Sequence, residues 1–299
     1  MLVTQKDVAG LVVLYQPEDY VLDNIQLYLS EVETLYAVDN SEALLNSKVK
    51  EALIEHPRVT YICNGKNLGI ASALNVGAKL ALEAGYQWLL TMDQDSQVPP
   101  RMVELLLNEI NSYPHPESIG IMSPVHMLQN GQVDTSLREK IKAGNGSVFE
   151  ADTVMTSGNL LNLAIYAQVG PFLDKLFIDY VDLEYCLRLK KNGFKVLVAA
   201  RVILEHSLGQ IADRQLKIFT DRKFTLSNHN YVRRYYITRN RLFVQNLYKK
   251  DFPAFCRHDF KCQVKEIIKI SLLESDRLKK IKYFLLGVYH YSLNRYGKL

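Results

Sequence analysis

Along the first two hundred residues, short unbroken apolar runs alternate with segments whose apolar positions recur every three or four residues. Val8–Tyr15, Thr34–Val38, Val59–Cys63, Gln87–Met92, Ile119–Ser123 and Phe194–Ala199 read as strands. The runs lack polar alternation, as expected of strands covered on both faces. Between them, Asp19–Leu29, Ile70–Ala84, Met102–Asn111 and Tyr180–Asn192 carry helical spacing, and Gly85 and Gly193 stand where C-terminal caps belong. Pro99-Pro100 precedes the helix at Met102. Asp152–Asn162 is strand-like around Ser157-Gly158-Asn159, and Gln129–Gly146 reads as a polar surface loop or hairpin. Strand–helix alternation predicts an α/β fold with a mostly parallel central sheet and flanking helices. After Gly209 the texture changes: His229–Lys250 and Asp259–Arg295 read as helices rich in Tyr, Lys and Arg. Two regions are therefore expected, an α/β domain over 1–225 and a helical basic extension over 226–299.

Composition narrows the class. With 299 residues, 48% of them hydrophobic and 23% charged, the chain can bury a core and is not disordered. No apolar run approaches the roughly 18 residues of a spanning helix. Val8–Tyr15 is too short for a secretory signal and is followed at once by Pro17, Glu18 and Asp19. Four cysteines without a CxxC pair fit no zinc pattern, and a reduced, cytoplasmic setting is the simplest reading. The net charge of +4 hides a division: residues 1–200 hold 15 Lys+Arg and 24 Asp+Glu, and residues 201–299 hold 21 and 8. Such a basic segment suits an anionic partner, or is simply a solvated helical face.

The acidic part gathers carboxylates where strands end. Asp93-Gln94-Asp95 leaves the strand WLLTM; two carboxylates one residue apart there can hold a hard divalent cation, Mg²⁺ or Mn²⁺, and a sugar hydroxyl. Asp39 ends another strand, and Asn64-Gly65-Lys66-Asn67-Leu68-Gly69 ends a third just before a helix start, where anions are favoured. Each alone is equally an ordinary turn; three in one half-domain describe a nucleotide cleft. A second acidic group, Asp179, Asp182 and Glu184, surrounds a helix start, where a carboxylate serves either as a base or as a cap. His206 follows an apolar strand, and Arg239-Asn240-Arg241 offers guanidinium forks.

Together these motifs resemble the family 2 glycosyltransferases of the GT-A fold, and within them the bacterial rhamnosyltransferase-like group. The resemblance rests on VVLYQP (12–17), VDNS (38–41), NGKNLGIASALNVGAKLA (64–81), LLTMDQDS (89–96), TSGNLLN (156–162), VGPFLDKLFIDYVDLEYCLRLKKNG (169–193), LEHSLG (204–209) and YYITRN (235–240). It implies a Rossmann-like catalytic domain and metal-dependent, inverting transfer of a sugar from a nucleotide-sugar. By this likeness Asp182 is the catalytic base, with Asp179 as the alternative, because Val181 stands where the family's first acid is usual. Tyr15, Asp39, Asn67, Gly69, Asn75, Asp93, Gln94 and Arg239 would contact the nucleotide-sugar, Asp39 at the base and Asp93 at the ribose. Asp95 and His206 would hold the metal, and Arg188 would support the loop.

The implied donor is dTDP-rhamnose or a UDP-sugar, and the acceptor a saccharide or a lipid-linked hydroxyl in surface polysaccharide synthesis. Two competing readings are a nucleotide-sugar-forming nucleotidyltransferase and a catalytically silent nucleotide-sugar-binding protein. The first usually carries a Gly-rich basic loop after its first strand, which YQPEDY lacks. Nucleic acid is not an expected partner. Lys261, Lys265, Lys269, Lys279, Lys280 and Lys282, interleaved with apolar residues such as Ile267, Ile268 and Ile270, make peripheral contact with the inner face of the plasma membrane a further expectation.

Overall fold

The computed structural model describes residues 2–42, 47–128, 146–206, 211–214, 224–227, 230–274 and 276–299; of 47, 128, 206, 211–214, 224–227, 272 and 273 it describes the backbone. The chain divides into two compact units, Met1–Ser207 with Lys298, and Leu208–Gly297 with Leu299.

The first unit is built on strands β1 (Val8–Leu14), β2 (Thr34–Asp39), β3 (Val59–Cys63), β4 (Trp88–Asp93), β5 (Ser96–Gln97), β6 (Ile119–Leu128), β7 (Val148–Glu150), β8 (Asn159–Asn162) and β9 (Lys195–His206). Their order is β3-β2-β1-β4-β8-β6-β9-β5, with β7 also on β9. The first four are parallel, as the apolar runs predict. All seven residues of β1 are buried, because helices cover both faces. Beyond β4 the sheet is mixed: β8 runs antiparallel to both β4 and β6, whereas β6 and β9 are parallel. This reversal has a functional result. Asn159, at the start of β8, lies opposite Thr91 near the end of β4, so the Thr156–Asn159 segment reaches the edge where the strand-end carboxylates lie.

Helices α1 (Tyr20–Leu29), α2 (Ser47–Glu55), α3 (Ile70–Glu83), α4 (Met102–Ser112), α5 (Leu163–Val169) and α6 (Val181–Lys191) flank the sheet. Helix α4 buries Met102, Val103, Leu106, Leu107 and Ile110 against the core formed by β1, β2, β4 and α1. Helix α3 instead presents Ala71, Ala73, Gly77, Ala78 and Ala81. It lies so close to β1 that a Cβ on Gly77 would stand 2.4 Å from the Leu11 side chain. The run of small residues is thus a docking face. Helices α2 and α5, of nine and seven residues, were not expected from the sequence, and β5 and β7 hold two and three residues. The loop expected over Gln129–Gly146 lies, apart from Gly146, outside the described residues.

The second unit holds an antiparallel pair, β10 (Ile211–Arg214) with β11 (Phe224–Ser227), and helices α7 (Tyr231–Tyr248), α8 (Pro253–Leu273) and α9 (Arg277–Ser292). The single helix expected over Asp259–Arg295 is two. Glu274 interrupts it, its carboxylate buried between Arg234 at 3.0 Å and Lys280 at 2.7 Å, and Asp276 turns left-handed at φ 54°. Arg241 pairs with Asp259 at 3.2 Å and Glu266 at 2.9 Å, tying α7 to α8. Among the described residues no helix is long and apolar enough to cross a membrane.

Candidate active site

The carboxyl ends of β1, β2 and β4 are fastened to one another by side chains. Gln94 bridges two strands: its Oε1 accepts the Tyr15 N–H at 2.8 Å and its Nε2 donates to the Tyr15 carbonyl at 3.2 Å. Asn24 on α1 donates to the Gln94 carbonyl at 3.0 Å. The middle residue of Asp93-Gln94-Asp95 therefore sets the backbone that carries both acids. Asp39 is buried at the end of β2; its Oδ1 accepts the Ser41 N–H at 2.9 Å and its Oδ2 the Tyr61 hydroxyl at 2.7 Å. Burial first, and then Asp39, hold the Tyr61 phenol far above its usual range, so it remains a donor.

Asn40 organises the loop after β3. Its Oδ1 accepts from Asn64 Nδ2 at 3.1 Å and the Leu68 N–H at 3.0 Å, while its Nδ2 donates to Asn67 Oδ1 at 3.2 Å and the Gly69 carbonyl at 3.1 Å. All four amide positions are thereby used. Asn67 also accepts the Gly69 N–H at 2.9 Å. Gly69 has φ 87°, and a Cβ there would lie 2.5 Å from the Phe177 carbonyl oxygen, which accepts the Ile70 N–H at 2.7 Å. Only glycine allows this contact, which joins the start of α3 to the acidic loop before α6.

That acidic loop is conformationally costly. Phe177, Asp179 and Tyr180 have φ of 66°, 62° and 65°. Left-handed backbone costs a non-glycine residue about 1 kcal/mol or more each, and such strain persists only where surroundings impose it. Asn75 is one such restraint: it donates to the Phe172 carbonyl and to Asp174 Oδ1, each at 2.8 Å, and accepts the Phe172 N–H and the Tyr166 hydroxyl, each at 2.9 Å. Its amide is fully engaged in holding 172–174 on α3. Arg188 is another. It pairs with buried Glu184 at 2.9 Å, donates to the Val169 carbonyl at 3.2 Å and lies 5.0 Å from the centre of the Tyr185 ring.

Asp182 sits in the first turn of α6, its Oδ1 accepting the Leu183 N–H at 2.9 Å. Burial pushes its carboxyl up to about 6; the charges of Asp179 and Asp93 push the same way, while the Leu183 N–H pulls down. Asp182 feels both carboxylates, so the acids of two distant motifs share one electrostatic neighbourhood. Beside it lies a small cavity lined in part by Thr91, Val154, Thr156, Asn159 and Cys186.

Ser157, which the sequence did not single out as a site residue, connects the parts. Its Oγ accepts the Asp93 N–H at 3.1 Å and lies 2.7 Å from Ser96 Oγ, while its carbonyl lies 2.6 Å from His126 Nε2. Thr91 Oγ1 donates to the Thr156 carbonyl at 2.6 Å. Asn40 and His126 were missed as well; for the first two, the only sequence signal was a polar residue amid the VDNS and TSGNLLN segments. His206 is placed by backbone pairing: it lies opposite Ser96, one residue from Asp95. Arg239 belongs to the second unit and is fully buried there. It donates to the Tyr235 hydroxyl at 3.1 Å and the Gly297 carbonyl at 2.8 Å, with the rings of Tyr235, Tyr236 and Tyr296 within 5.5 Å.

Among the described residues no three His, Cys, Asp or Glu side chains converge on a metal position.

Residues 12–121 match the family described as glycosyl transferase family 2. A curated relative, the dTDP-rhamnosyl transferase RfbF of Shigella flexneri, is 28% identical over 290 residues, covering 93% of this chain and 91% of the relative. Over the matched residues the chain is similar to the family 2 glycosyltransferases, and it is a glycosyltransferase. Among solved structures, the glycosyltransferase superposes on GalNAc-T7, crystallised with UDP, GalNAc and Mn²⁺, with a TM-score of 0.61 at 11% identity. That match covers 98% of this chain and 58% of the other, and it shows the GT-A fold of this glycosyltransferase. The expected fold class and the resemblance to the rhamnosyltransferase-like group both hold.

Proposed function

We propose that this glycosyltransferase moves rhamnose from dTDP-rhamnose to a hydroxyl of a saccharide or lipid-linked acceptor, with inversion at the anomeric carbon. One observation carries the mechanism: Asp182 has its carboxyl raised to about 6 and lies within the electrostatic reach of Asp93 at the β4 end. A base of that strength is ionised at neutral pH yet basic enough to take a proton as attack proceeds. The acceptor oxygen bonds to the anomeric carbon while the bond from that carbon to the diphosphate breaks. The electron pair leaves with the diphosphate, and the hydroxyl proton passes to Asp182. Asp39, with Tyr61 fixing its orientation, serves the nucleobase, and Asp93 the ribose. Tyr15 and Gln94 shape the strand-end backbone, and the Asn67–Gly69 turn lies at the start of α3, where phosphates are favoured. A divalent cation, when bound, neutralises charge on the departing diphosphate, and Asp95 with His206 are the residues that would hold it. The donor is assigned from the rhamnosyl relative.

The test is acceptor-dependent release of nucleoside diphosphate from a panel of nucleotide-sugars with Mn²⁺. Turnover of dTDP-rhamnose ahead of UDP-sugars is expected. Turnover only of a nucleoside triphosphate with a sugar phosphate would make the protein a nucleotidyltransferase. Nucleotide binding without turnover of any donor would make it a binding protein.

A further inference from the structure

The acids and bases of α8 are sorted by face. Its two acids within the helix, Asp259 and Glu266, both turn toward α7 and pair with Arg241, Glu266 also approaching Arg234 at 3.6 Å. What remains outward is basic: Arg257, Lys261, Lys265 and Lys269 are all exposed. One position before each lysine stands an exposed apolar residue, Phe260 at 56%, Val264 at 41% and Ile268 at 52% of full accessibility. Spacing of four places the three apolar side chains in one row and the three lysines in an adjoining row.

Helix α9 repeats the arrangement. Leu278, Ile281, Leu285 and Tyr289 are exposed along one side, next to exposed Arg277, Lys279 and Lys282. Lys280, expected outward from the sequence, is instead buried on Glu274. Ile270, expected among the apolar partners, is buried in the unit. The surface that emerges is therefore not the one the sequence suggests, and it carries no unpaired acid of α8.

We infer that the outer face of α8, with α9 as a second row, docks on an anionic lipid bilayer. Apolar side chains in a row enter the headgroup boundary while lysine stems lie along it and hold their ammonium groups at the phosphates. A second copy of the chain fits poorly, because a face-to-face pair would bring lysine rows together. Nucleic acid would use the bases and leave three aligned apolar residues without a partner.

The test is sedimentation of the full chain with vesicles of phosphatidylcholine containing 30% phosphatidylglycerol, compared with pure phosphatidylcholine. Preferential binding to the anionic vesicles is expected, and each basic side chain near such a surface multiplies binding about fivefold. Two triple variants separate the contributions: Phe260→Ser with Val264→Ser and Ile268→Ser, and Lys261→Glu with Lys265→Glu and Lys269→Glu. Both should lose anionic binding, the second by ~100-fold or more, with helical circular dichroism retained. Equal binding to both vesicle types, no binding to either, or binding unchanged in both variants overturns the inference. Light scattering covers the remaining route: a dimer made monomeric by the serine variant, with vesicle binding intact, would assign the face to self-association. If the variants fail to fold, the wild-type comparison alone decides.

Discussion

At the scale of single residues, Asp182, the proposed base, would link stability to the proposed transfer. Its carboxyl is raised from 3.8 to about 6, so the folded state holds the proton more tightly than the unfolded state. Raising the pH from about 4 to about 6 therefore costs stability, and above 6 the loss is complete. Asp182→Asn removes that cost. We expect it to be more stable than the parent by about 1–3 kcal/mol at pH 8 and nearly equal at pH 4, read from thermal melts at both pH values. The same variant should lose about 10²–10⁴-fold in transfer rate while keeping nucleotide affinity, and Asp179→Asn should lose less. The wild-type rate should rise through pH 6 and then level. Asn40→Leu leaves Asn64, Asn67 and the Leu68 N–H without their shared partner. It should destabilise by about 2–4 kcal/mol and weaken donor binding, measured by denaturant titration and calorimetry. The positions of Asp39 and Asp93 at strand ends were legible because they close apolar runs; Asn40 was not, because its role is to satisfy backbone and amides of a loop whose path the sequence does not state.

At the scale of elements, the site depends on two loops that meet at Gly69 and Phe177. Gly69→Ala adds both a strained φ and a Cβ 2.5 Å from the Phe177 carbonyl. A loss of at least about 2 kcal/mol is expected, with a larger effect on the rate than a distant surface change of equal stability cost. Activity at temperatures well below the melting point distinguishes the two. The strands β1 to β4 were legible because burial on both faces leaves unbroken apolar runs. The reversal of β8 was not legible, since four residues carry no direction, and with it the approach of Ser157 to Asp93 was hidden. Helix α3 was legible as a helix from its spacing and its cap. Why it is rich in Ala and Gly became clear only from the closeness of Leu11.

At the scale of the whole molecule, the charge division at residue 200 has two physical origins. Among the acids of the first unit, Asp39 and Asp93 end β2 and β4 and Asp95 follows β4, where the proposed donor site lies. Of the eight acids after residue 200, Asp259, Glu266 and Glu274 are held by arginines and a lysine inside the second unit, which leaves bases on its helical surfaces. The total of +4 conveys neither arrangement, because charge counting does not know which side of a helix faces inward. Raising salt from 50 to about 500 mM shortens electrostatic reach from over 10 Å to a few ångströms. It should release the protein from anionic vesicles while changing nucleotide binding far less, since the proposed nucleotide contacts are short-range. Co-sedimentation and calorimetry across the same salt series check this.

The Gln94 bridge also says something about mutation. A glutamine codon becomes a glutamate codon by one base change, and the two side chains have almost the same shape. At this position they are opposites: the edge of Tyr15 offers one donor and one acceptor, and a carboxylate can answer only the donor. The change would also set three acids in a row at the mouth of the sheet. The most accessible and most isosteric variant of the Asp-Gln-Asp turn is thus among the least tolerable, and lineages that alter residue 94 should pass through side chains that can both donate and accept a hydrogen bond.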